Sequence, residues 1–138
     1  MHINATELAR RLGVDEEYAR KAIEQVQLHF SEYMRVAQRG SVDDVVRVRC
    51  AYEALYEIAR FLVHASTTSI GAMRQPDAYA RAAVEHAATV LQLTPEEARQ
   101  ARALNEWGLS GVPAEPPLTV EEAVHLAERV LAESLGRG

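Results

Sequence analysis

Five histidines, one cysteine and twenty carboxylates are the residues of this chain with chemistry to offer, and their spacing limits what they can do. Glu122-Ala123-Val124-His125 has the Glu-x-x-His spacing that lets one helix face supply two ligands to a di-iron centre in a four-helix bundle. Such a centre needs a second Glu-x-x-His and a Glu from each of two further helices. His2, His29, His64 and His86 have no Glu three residues before them. Glu122 also falls three residues after Thr119, where it serves a capping box, and Glu121, Glu128 and Arg129 surround His125 at helical offsets as a solvated face. No metal and no cofactor are therefore expected.

Nucleophilic chemistry fares no better. Cys50 stands in an apolar stretch with no His within a turn, so it is expected to serve as a small buried hydrophobe. No Gly-x-Ser-x-Gly elbow occurs, Ser66-Thr67-Thr68-Ser69 reads as the polar end of a helix, and the glycines are too scattered for a phosphate loop. Tyr52, Tyr56 and Phe61 recur at helical spacing, as do Phe30 and Tyr33, which marks them as core before base-stacking platform. Trp107, just before Gly108, reads as a plug at a bundle end, with anchoring of a partner as the other use.

The elements that must position these residues follow from composition and helix punctuation. The chain has 138 residues, 48% of them hydrophobic and 25% charged, which suits one domain, 1–138, with its own core. No apolar run approaches a membrane span, and residues Met1 to Glu7 lack the basic start and apolar stretch of a signal peptide, so a cytoplasmic protein is expected. Residues 75–138 hold the whole net charge of −5, and residues 1–74 are balanced. No basic block stands out, which disfavours a nucleic-acid grip based on neutralising many phosphates.

Glycines and prolines are confined to a few places, and 23 alanines favour helix in the long stretches between them. Thr94-Pro95-Glu96-Glu97 and Thr119-Val120-Glu121-Glu122 are capping boxes, and Asp15, Ser41 and Asp77 are N-cap candidates for three further helices. Helices are expected near 4–12, 15–39, 42–68, 77–92, 95–107 and 119–135. The third is apolar around most of its circumference, leaving only Arg49, Glu53, Glu57, Arg60 and His64 as a polar stripe, so it should be central or serve two interfaces. The fold class is all-α: an up-and-down antiparallel bundle of four to five main helices (15–135) with a short N-terminal helix and turn (4–14).

Two look-alikes have plainer explanations. Residues 12–20 echo 91–99, but the shared letters are those of a helix start. Thr6 to Val14 resembles the first helix and turn of a helix-turn-helix DNA reader, yet the next helix would offer Asp15, Glu16 and Glu17 to phosphates. A short helix folded back as a lid, dispensable for folding, is the expectation instead.

Taken in order, a long helix ends at Arg39-Gly40-Ser41. It is followed by Cys50-Ala51-Tyr52-Glu53-Ala54-Leu55-Tyr56 on a central helix, an Ala-rich helix, a helix reaching Leu104-Asn105-Glu106-Trp107, and a closing helix with Thr119-Val120-Glu121-Glu122-Ala123. Over residues 25–135 this order resembles the HEPN superfamily (higher-eukaryote and prokaryote nucleotide-binding domains). The resemblance implies an up-and-down helical bundle that pairs as a homodimer. In active members it implies a ribonuclease, often the toxin of a toxin–antitoxin pair with a nucleotidyltransferase-like partner. Their signature is Arg, then a polar residue that is often Asn, then His a few residues on. Asn105 matches the polar position, but Leu104 stands at the Arg position, Arg102 is two residues early, and no His follows until His125.

The expectation is thus a non-catalytic HEPN-like homodimeric interaction module, in a toxin–antitoxin or defence setting. It has no catalytic residues, and its candidate residual cleft is formed by Asn105, Arg102 and Trp107. The dimer is expected to pair through the third helix or through Ala80, Ala83, Ala87 and Ala88 of the fourth, with a protein partner besides and neither nucleic acid nor membrane. Two alternatives are a nucleic-acid-binding regulator that uses the N-terminal pair, and a degenerate ribonuclease rebuilt from Arg99 or Arg102 with His64 or His86.

Overall fold

The computed structural model describes residues 2–66, 68–110 and 114–136, and among them it contains six α-helices and no strand. They are α1 (Ala5–Leu12), α2 (Glu16–Ala37), α3 (Asp44–His64), α4 (Pro76–Val90), α5 (Pro95–Leu109) and α6 (Val120–Ser134), with a 3-10 turn at Ser69–Ala72. The all-α class read from the sequence holds. Both capping boxes form, each Thr side chain accepting from the N3 backbone and each Glu side chain from the cap's N–H. Asp15 caps α2 as expected, accepting from Tyr18 N at 2.7 Å.

Other helix ends differ from the expectation for local reasons. The N-cap of α3 is Asp43, not Ser41: Val42 N donates to Arg39 O in a turn, and the Asp43 carboxylate then accepts from Val45 N at 3.0 Å. The N-cap of α4 is Gln75, not Asp77. Pro76 fits the first helical position, where its missing N–H costs nothing, and Asp77 sits in the first turn, where its charge suits the helix dipole. α3 stops at His64 rather than 68, because the hydroxyl of Ser66 bonds back to Leu62 O at 2.7 Å and meets His86 Nε2 at 3.0 Å. Thr67 lies outside the described residues.

α3 is central: it packs against α2, α4, α5 and α6, and Val48, Leu55, Ile58, Ala59 and Leu62 are buried on its several faces. Most of the apolar surface that suggested a dimer seam on α3 packs here within one chain. So do Ala80, Ala83 and Ala87 of α4, all buried. At the start of α3 two apolar residues are left outside, Val45 and Val46, each 47% exposed.

Contacts give the course of the chain. Arg47 Nε reaches Ala37 O while His29 faces Glu57, so α2 and α3 run in opposite senses. Arg81 meets Glu106 and Arg102 meets Glu85, so α4 and α5 do as well. Along α3 and α4 the paired numbers rise together: Tyr79 shares a cavity with Glu57 and Arg60, and Ser66 meets His86. The strict alternation expected from short connections is not kept at this step. The reason is the length of the α3–α4 connection, which even with its 3-10 turn at Ser69–Ala72 is long enough to carry the chain back along α3.

α1 folds back on α2 and contributes side chains to the core. Leu8 is wholly buried, Ile3 nearly so, and Ile3 N donates to Ser134 O at 2.8 Å, tying the segment before α1 to the end of α6. Gly13 ends α1 with a φ of 67°, a left-handed turn that a side chain would strain.

Candidate functional site

Asn105 and Arg102 share a cavity of about 390 Å³ between α4 and α5, lined also by Arg81, Val84, Glu85 and Glu106. Trp107 is not among its lining residues. It is half-buried, and its indole N–H donates to Ala114 O at 3.0 Å, which fits the end-plug role. The structure therefore brings together two of the three residues of the expected cleft.

The rim of the cavity is ionic. Arg81 Nε donates to Glu106 Oε1 at 2.6 Å and Arg102 pairs with Glu85, so two ion pairs cross between the helices. Each guanidinium is held more firmly protonated by the hydrogen bond it donates to its carboxylate partner, and the Arg81 bond lowers the carboxyl of Glu106. Sequence reasoning had passed over Arg81, Glu85 and Glu106. Their signal was present: α4 carries Arg81 with Glu85 four residues on, α5 carries Arg102 with Glu106 four residues on, and an antiparallel pair matches each Arg to the other helix's Glu.

The floor is Asn105, 2% exposed, whose Oδ1 accepts from the Tyr52 hydroxyl of α3 at 2.8 Å. Burial pushes the Tyr52 phenol up, so it stays protonated and acts as donor. Arg49 completes this corner. Its guanidinium donates to Gly108 O at 2.9 Å, near the carbonyl end of α5, and lies 5.7 Å from the centre of the Tyr52 ring. Asn105 is thus tied through its carbonyl to α3. Leu104, beside it in the sequence, is 0% exposed.

A second cavity, about 330 Å³, lies among α2, α3 and α4 and takes in Glu57, Arg60 and His64 of the polar stripe, with Val26, Phe61 and Tyr79. His29 stands 3.5 Å from Glu57, and the Arg60 guanidinium lies over Tyr56. His64 and Arg102 therefore line different cavities, and His86 is engaged by Ser66. Cys50 is half-buried rather than lost in the core, and burial, then the nearby Glu53 carboxylate, raise its thiol above the usual range.

Glu122 serves its cap, and among the described residues no group of three or more His, Cys, Asp or Glu is placed to hold a metal ion. No helix among them is long and apolar enough to cross a membrane. No family model, curated protein or solved structure matches this chain.

Proposed function

We infer that the protein is a helical interaction module of HEPN-like build, working as a homodimer in a toxin–antitoxin or defence setting and without ribonuclease chemistry of its own. The observation that carries the non-catalytic part is the fate of Leu104 and Asn105. The first is sealed in the core and the second is held by Tyr52, so neither can move a proton at a scissile phosphate or hold its charge. The rebuilt alternative needs His64 beside Arg102. Those residues line separate cavities, and the guanidinium is already paired with Glu85. The regulator alternative needs a basic start to α2, where Asp15, Glu16 and Glu17 stand exposed.

With Ala80, Ala83 and Ala87 buried and Ala88 partly so, pairing of copies falls to apolar side chains on the outside, among them Leu28 on α2 and Val45 and Val46 on α3. A stable interface there would bury on the order of 1,200 Å² or more in total. The test joins light scattering with an RNA cleavage assay on the wild type and an Arg102→Ala, His64→Ala double variant. A dimer at tens of micromolar with no cleavage is expected. A monomer overturns the pairing, and cleavage that the double variant loses overturns the non-catalytic reading.

A further inference from the structure

The cavity between α4 and α5 contains an unspent hydrogen-bond donor. The carbonyl of Asn105 is occupied by the Tyr52 hydroxyl, while its NH2 group has no hydrogen-bond partner among the described residues. That nitrogen is not sealed away, because among the described residues no buried side-chain nitrogen or oxygen goes without a partner. Asn105 lines the cavity between α4 and α5. Water reaches that nitrogen, so a ligand with a well-placed acceptor would take water's place there rather than meet a sealed group.

The surrounding chemistry narrows what that is. At the mouth, Arg81 is matched by Glu106 and Arg102 by Glu85, so the rim has no net charge and an ion would have to break an existing pair to enter. Val84 supplies an apolar wall. A volume of about 390 Å³ falls within the range of small-molecule pockets. We propose that this cavity binds a small neutral molecule, apolar in body and carrying one carbonyl-type acceptor that takes the free N–H of Asn105. Amides, lactams and cyclic ketones are the matching class. Tyr52 is a positioning residue: its hydroxyl bonds Oδ1 and ties the Asn105 amide to α3. The proposal is independent of the interaction-module reading and adds a ligand to it.

The test uses the full chain, labelled with ¹⁵N and titrated separately with ε-caprolactam, cyclohexanone and cyclohexanecarboxylate. Saturable shifts of the Asn105 side-chain NH2 signals and of the Val84 and Glu106 amides are expected with the two neutral probes, and at least tenfold weaker binding with the carboxylate. The Tyr52→Phe, Asn105→Leu double variant removes donor and acceptor together and leaves no orphaned polar group, so it is expected to fold and to lose the response. Val84→Leu, which narrows the cavity, is expected to weaken the neutral probes and serves in its place should the double variant unfold. No saturable shift with either neutral probe overturns the site, as does undiminished binding to either folded variant. Tighter binding of the carboxylate would mark an anion site instead and equally overturn it.

Discussion

The ring of Tyr52 occupies the place where a side chain at position 108 would begin. A Cβ built on Gly108 comes within 2.7 Å of the ring's Cζ and 2.8 Å of its Cδ2, closer than real Cβ contacts come. A glycine inside a helix costs roughly 0.5–1 kcal/mol relative to alanine, and here that cost lets α3 and α5 close on each other. The ring cannot turn aside freely, because its hydroxyl is bonded to Asn105.

Gly108→Ala is therefore expected to destabilise the protein despite its better helix propensity. Overpacking of this kind costs about 1–3 kcal/mol and outweighs the propensity gain of at most about 1 kcal/mol. Urea melts check the sign. In a Tyr52→Leu background the same substitution is expected to become neutral or stabilising, which locates the clash in that pair.

Leu8→Ala tests whether α1 belongs to the core. Leu8 is 0% exposed, so the loss is expected to be about 2–5 kcal/mol, as for other wholly buried leucines. A loss near zero in urea melts would restore the view of α1 as a lid.

The pH behaviour of α1 follows from Glu7, whose carboxyl is held down at about 2 by hydrogen bonds from Arg10 and then Arg11. Its folded value lies below the ordinary 4.5, so its contribution is complete above that value and is lost as the pH falls toward 2. Glu7→Gln is expected to lower stability at pH 6 and to make no difference near pH 2. Paired melts of wild type and variant across that interval measure the convergence.

Cys50 is expected to react slowly. Burial and the Glu53 carboxylate both disfavour its thiolate, which is the reactive form. Alkylation by iodoacetamide at neutral pH, followed by mass, is expected to run several-fold slower in the native protein than in urea.

Much of the fold was legible because helix starts are local events. Thr94 with Glu97, Thr119 with Glu122, and Asp15 each announce a helix within four residues, and all three form. Ser41 and Asp77 misled because each has a better-placed neighbour: Asp43 is a charged acceptor two residues on, and Pro76 moves the start back by one. The centrality of α3 could be read from its apolar girth, but not which neighbours would consume it. Hence Ala80, Ala83 and Ala87 looked available for a second copy when they were needed inside. At the cleft, sequence placed Arg102 and Asn105 one turn apart, but the facing wall of the cavity comes from α4 and the bond that holds Asn105 from α3. Tyr52 lies 53 positions away from Asn105, and no local pattern links them.

The mirrored charges of α4 and α5 also bear on how the hairpin assembles. Sliding one helix along the other by a turn sets Glu85 against Glu106 in one direction and Arg81 against Arg102 in the other. Alanine-rich helix faces are smooth and distinguish poorly between such alignments by shape alone. Each exposed bridge adds little to the stability of the finished fold. Their joint effect lies in the misaligned states, where attraction turns to repulsion whichever way the slip goes. The bridges therefore act as an error check on folding, holding the cavity between the two helices at one fixed alignment.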